Sequence, residues 1–326
     1  MAKGKFNLYN LFNSSKDGKG ITKEEARAPR NLVNFFKFYW RSLGKIAYIN
    51  LFMVFGNFPI FFSMIAAAGY FSNNGYAPAS SLYAPFYGAL THQTGGASPV
   101  TMALFGVHGV QASVSIPTTA TNVLYALTAL IIFTWGFVNV GTTYQLRNIV
   151  KGEPAFLWHD FWYAIKRNWK QGLVFGIIDA VFIAVLAYDI MFFYYSIGGF
   201  IQNVMFYFSL AIAFIYFMMR FYIYIMMVTF DLPIRKLLKN ALIFSILGFK
   251  RNIMAVLGMI VVLILNYYML MVFLPIGIIL PFIITLSTCT FMAAYAAYPK
   301  IKEMMIDPYY VEEEKEYEEP IFRDRG

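Results

Sequence analysis

The chain has 326 residues, of which 59% are hydrophobic and 19% aromatic, and only 13% carry charge, against about 25% in a typical soluble domain. A water-soluble globule could not cover so much apolar surface, and the apolar residues are gathered into long runs, the pattern that hydrocarbon selects. The net charge of +9 comes with a single cysteine, Cys289, which excludes an intrachain disulfide and any metal site built on thiolates.

In chain order, residues 1–30 form a basic segment with Lys3, Lys5, Lys16, Lys19, Lys23, Arg27 and Arg30. No apolar stretch with a small-residue cleavage site begins the chain, so the mature protein is expected to start near Met1. Residues 31–300 read as one membrane domain of six helical spans, near 46–71, 121–146, 172–193, 200–229, 253–273 and 277–298. The last two are expected to join at a tight turn, Leu274-Pro275-Ile276-Gly277, and Asn266 in span five is placed to bond across helices. Residues 301–326 form a tail whose eight acidic residues between Glu303 and Glu319 predict an extended or disordered segment.

Lysine and arginine set the orientation, because cytoplasmic segments near span ends keep the positive charge. The segment before span one, the loops 147–171 and 230–252 and the tail carry these residues; the loop 72–120 and the turns 194–199 and 274–277 carry none. An all-α bundle of six spans with both termini in the cytoplasm of a plasma-membrane protein satisfies this pattern. Topology then accounts for the net charge, and nucleic-acid binding is not expected.

Each basic segment also carries a helical amphipathic pattern. Leu32, Phe35, Phe36, Tyr39, Trp40 and Leu43 oppose Asn34, Lys37, Arg41 and Lys45. Trp158, Phe161, Trp162, Ile165 and Trp169 oppose Lys166, Arg167 and Lys170, and Ile234, Leu237, Leu238, Ala241, Leu242 and Phe249 oppose Lys236, Lys239 and Asn240. These spacings predict interfacial helices whose cations reach lipid headgroups. Lys166-Arg167-Asn168 recurs as Lys250-Arg251-Asn252, and a threefold repeat of interfacial helix plus helical hairpin is one reading; ordinary basic, aromatic loops are the other.

Gly141-Thr142-Thr143-Tyr144-Gln145-Leu146-Arg147-Asn148, then Phe156-Leu157-Trp158-His159-Asp160-Phe161-Trp162 and Lys166-Arg167-Asn168-Trp169-Lys170-Gln171, resemble the YesL family of bacterial membrane proteins. Ser115-Ile116-Pro117-Thr118-Thr119-Ala120-Thr121 resembles that family's approach to its second span. The long uncharged stretch from about 72 to 114 departs from the family layout. The family's activity is not established. The resemblance implies a context, the association of its genes with ATP-binding-cassette sugar importers, largely in Firmicutes, and hence an accessory or regulatory subunit for carbohydrate uptake whose partners are permease and ATPase subunits.

No phosphate-binding loop, zinc motif, nucleophile elbow or dinucleotide fingerprint occurs, so no enzyme activity, cofactor or metal is expected. His92, His108 and His159 lack ligand spacing and read as surface or interface residues. Ionised groups within spans are costly unless paired or hydrated. Asp179 and Arg220 fall at depths differing by about 3 Å in adjacent antiparallel spans, within reach of an ion pair. A bridge that fixes the bundle and a path for a small solute or proton, which would make the protein a transporter or channel, both stay open. A face of Trp158, His159, Asp160, Phe161, Trp162, Lys166, Arg167, Asn168 and Trp169 is the candidate docking site for a partner subunit, with lipid as its other occupant.

Overall fold

The structure, a computed structural model, describes residues 31–308 apart from 93–95, 97 and 197; the basic segment 1–30 and the acidic tail beyond 308 lie outside the described residues. The protein is all-α in class, with 82% of the described residues helical.

Helix α1 (Leu32–Gly56) starts at Asn31, whose side chain accepts the Asn34 N–H at 2.9 Å, satisfying a donor that the helix cannot. It fuses the first amphipathic segment and the start of the first expected span into one helix, then stops. Pro59 has no N–H to give and disfavours helical backbone at Phe58, while the Asn57 amide turns back to the Met53 carbonyl at 2.9 Å. Helix α2 (Ile60–Ala67) follows, so the expected continuous span 46–71 is corrected to a broken pair.

The stretch 72–120, expected as a loop, is largely regular. It holds β1 (Ser72–Pro78), α3 (Tyr83–Thr91), α4 (Pro99–His108) and β2 (Gln111–Pro117). The strands pair antiparallel from Ser72 opposite Pro117 to Pro78 opposite Gln111, which closes the intervening residues into a self-contained excursion. Helix α5 (Thr119–Thr128) begins with a reciprocal cap between Thr118 and Thr121, and both hydroxyls also donate to the Phe71 carbonyl. The Pro-Thr-rich motif is thus a helix start tied to the neck of the ribbon.

The remaining helices are α6 (Ile131–Lys151), α7 (Leu157–Arg167), α8 (Trp169–Tyr195), α9 (Phe200–Thr229), α10 (Ile234–Leu247), α11 (Phe249–Val272), α12 (Leu274–Leu280) and α13 (Leu286–Ile301). Phe273 alone separates α11 from α12, so the turn is tighter than expected, and Pro275 falls in the first turn of α12, where no N–H is needed. The Asn266 amide reaches the Gly277 carbonyl at 3.5 Å, the limit of a hydrogen bond. A π turn at Pro281–Thr285 joins α12 to α13, and helical backbone continues through residues 302–308, so the tail is extended or disordered nowhere before 309. Short helices end one residue before α8 and α11, whereas α1 is unbroken.

Among the described residues, five helical stretches are long and apolar enough to cross a membrane: Thr119–Lys151, Trp169–Tyr195, Phe200–Thr229, Phe249–Val272 and Leu274–Ile306. A sixth exists if α1 and α2 count as one broken span. Val174, Ile178, Val181 and Val185 form an exposed stripe on α8, and Leu257, Ile260, Val261 and Ile264 one on α11. A helix facing water would carry polar groups there; hydrocarbon accepts these side chains without cost. This is a multi-pass membrane protein.

The chain divides into two compact units, one formed by residues up to Asn57 and from Ile132 onward, the other by Phe58–Ile131. In the larger unit the core gathers toward one end of the bundle. There the stretch Phe221–Val228 of α9 is buried on every side, packed with α1, α6, α10 and α13.

Candidate functional site

Gly136 of α6 lies against Gly172 and Gly176 of α8. A Cβ on Gly136 would overlap the Gly172 carbonyl oxygen and stand 2.7 Å from the Gly176 Cα, so only hydrogen at these positions lets the two backbones touch. Small residues four apart are how membrane helices approach closely. The crossing sets Trp135, next to Gly136, beside Asp179, one turn beyond Gly176.

Asp179 is fully buried and its carboxylate is surrounded by donors. Trp135 Nε1 donates to Oδ2 at 2.8 Å, Tyr224 Oη to Oδ2 at 2.7 Å and Tyr216 Oη to Oδ1 at 2.7 Å. Arg220 Nε bridges both oxygens, at 2.9 and 3.2 Å. Tyr216, Arg220 and Tyr224 are spaced by four on α9 and therefore share one face. The guanidinium also lies over the rings of Trp135 and Tyr224, at 5.4 and 5.8 Å. The structure thus brings Asp179 and Arg220 together and adds three neutral donors, a set that compensates a carboxylate removed from water.

Arg220 spends only Nε on this cluster. Its two terminal nitrogens make no hydrogen bond among the described residues, and the side chain lines a cavity of about 110 Å³ with Asn139, Thr143, Tyr224, Cys289 and Thr290, room for a few waters.

The motif residues 141–171 build a second knot. Gly141 leaves space for the Phe161 ring, which a Cβ would overlap. Arg147 Nη1 donates to the Val228 carbonyl at 2.9 Å, at the carboxyl end of α9, and Nη2 to Asn148 Oδ1 at 2.9 Å. Asp160 Oδ2 accepts the Phe156 N–H at 2.9 Å and the Asn148 amide at 3.5 Å, and the Gln145 amide donates to the Leu157 carbonyl. These bonds fasten α7 to α6, and α6 in turn to α9.

The expected docking face is therefore divided. Asp160 and Phe161 turn into the protein, Phe161 stacking on Phe52 of α1 at 4.4 Å. Trp158, Trp162 and Trp169 remain 62%, 44% and 51% exposed. His159, Lys166 and Arg167 are also exposed, and Asn168 is half-buried, its amide on the Ala164 carbonyl. Of the other histidines, His108 Nδ1 meets Ser80 Oγ at 3.0 Å. No group of three or more metal-ligating side chains occurs among the described residues.

Residues 118–190 match the model of a family described as a protein of unknown function, DUF624. The match spans α5 to most of α8 and is consistent with the YesL-like resemblance of the same region. Neither a curated protein nor a solved structure matches the chain. The matched segment holds Trp135, Gly136, Gly141, Arg147, Asp160, Gly176 and Asp179, and so supplies one side of both polar knots.

Sequence reasoning missed Trp135, Tyr216 and Tyr224, although the two tyrosines stand four residues either side of an intramembrane arginine. It also passed over Gly172 and Gly176, whose small-residue spacing was a readable contact signal.

Proposed function

We propose that this is a plasma-membrane protein with both termini in the cytoplasm, serving as a non-catalytic accessory or regulatory partner of an ATP-binding-cassette carbohydrate importer. The observation that carries this reading is the split face of α7. Its buried side is fastened to α1 and α6, while Trp158 and Trp162, with Trp169 at the start of α8, stay uncovered beside Lys166 and Arg167. A rigidly held helix with large exposed aromatics has the composition that protein interfaces concentrate at their hot spots. The saturated Asp179 cluster supports a structural role for the intramembrane charges, since a carboxylate with four donors has little capacity left for a passing ion. The YesL-like resemblance supplies the importer context.

One observation favours a second reading, a small-solute transporter: Arg220, whose terminal nitrogens make no hydrogen bond among the described residues, lines a cavity between the helices. Gentle detergent purification with identification of co-eluting proteins separates the two. Stoichiometric permease or ATPase subunits, released by Trp162→Ala with Trp169→Ala at unchanged melting temperature, support the accessory reading. A homo-oligomer that elutes without other subunits refutes it and favours transport.

A further inference from the structure

On the larger unit, α1, α11 and α13 enclose a groove of about 640 Å³, within the ordinary size of small-molecule sites. Its walls are apolar. Leu32 and Phe36 come from α1 and Met292 and Tyr295 from α13; on α11, Lys250, Met254 and Gly258 follow at intervals of four along one stripe about 12 Å long. Gly258 keeps the deep end open, because a Cβ there would reach the Met292 sulfur at 3.0 Å. Leu32, Phe36 and Met254 are all more than half exposed.

The mouth has the opposite character. Lys250 and Arg251 stand exposed in the first turn of α11, beside the start of α1 at Asn31. Neither cation makes an ion pair or hydrogen bond among the described residues, and neither helix carries an acid in its first turn. Two cations and two helix N-termini give this end a positive field. A soluble anion would leave the apolar walls unused, and plain hydrocarbon would leave the cations unused. An amphiphile with an anionic head satisfies both, and a membrane supplies it.

We propose that this groove binds an anionic phospholipid, its phosphate at Lys250 and Arg251 and one acyl chain along Met254 and Gly258 toward Met292. The inference needs only that the protein is embedded in a membrane, and stands apart from the importer reading.

The test uses the full chain in detergent, titrated with phosphatidylglycerol or with phosphatidylcholine of identical acyl chains, bound lipid being counted by native mass spectrometry. Phosphatidylglycerol is expected to bind the more tightly. Lys250→Gln with Arg251→Gln should weaken it roughly thirty-fold, from about a tenfold step for each 1.4 kcal/mol and about 1 kcal/mol per cation. Met254→Trp, which fills the groove and keeps both charges, should weaken it at least about tenfold. All three positions are exposed, so melting without lipid should not change. Equal binding of the two lipids, or full binding by the double variant, overturns the proposal. Full binding by Met254→Trp overturns the groove and leaves only surface charge.

Discussion

Removing the Asp179 carboxylate strands a buried arginine, two phenols and an indole at once, and the size of the effect follows from that list. Breaking a buried ion pair by deleting one partner costs about 3–5 kcal/mol, and each neutral hydrogen bond within a membrane protein is worth roughly 0.6 kcal/mol. With three such donors, Tyr216, Tyr224 and Trp135, Asp179→Leu should cost about 5–7 kcal/mol. Arg220→Leu should cost less, about 3 kcal/mol, because the carboxylate keeps its three neutral donors. In the double variant no buried charge remains and only the neutral donors are orphaned, so the loss should fall to about 2 kcal/mol, milder than either single change. Unfolding in mixed detergent micelles can be followed by reaction of the single cysteine, Cys289, with a thiol dye. Losses that simply add in the double variant would show that the two charges are not coupled, and equal losses in the two singles would refute the role given to the tyrosines and Trp135.

Gly176→Leu should separate α6 from α8 and lower stability by at least about 2 kcal/mol, since the neighbour it would strike is backbone that cannot rotate away; a wild-type melting temperature would contradict the close crossing. Asp160→Ala should destabilise by about 1–2 kcal/mol through loss of the Phe156 N–H and Asn148 contacts. If that variant instead melts normally and sheds co-purifying proteins, Asp160 belongs to the docking surface after all.

How far the sequence reveals this fold depends on what each feature had to contrast with. The apolar runs are legible because hydrocarbon leaves helices no alternative way to satisfy their backbone, and Asp179 and Arg220 stand out because charge is rare there. Their neutral partners do not, for Trp135, Tyr216 and Tyr224 are hidden among 34 phenylalanines and 24 tyrosines. The break at Asn57–Pro59 had a marker in Pro59, but the hydropathy of 46–71 continues across it. The ribbon at 72–117 did carry a period-two signal, with Ala112, Val114 and Ile116 alternating with Gln111, Ser113 and Ser115, yet its uncharged, small-residue composition resembles a loop. Nothing in the sequence announces the π turn at Pro281–Thr285. There Asn50 of α1, fully buried, donates to the Pro281 carbonyl and accepts the Ser287 N–H, both at 2.8 Å, satisfying backbone that the irregular turn leaves open. Such a partner, 231 residues away along the chain, is visible only once the helices are packed.

The membrane topology underlies the importer reading, because α7 and its tryptophans must face the cytoplasm for it to hold, and cysteine accessibility tests that topology most directly. In a Cys289→Ala background, Ser98→Cys places a thiol in the uncharged excursion, and Glu153→Cys places one at an exposed position between α6 and α7, within the basic stretch 147–171. The proposed topology predicts that an impermeant maleimide labels Ser98→Cys in intact cells and Glu153→Cys only after lysis. Labelling of Glu153→Cys in intact cells would contradict it.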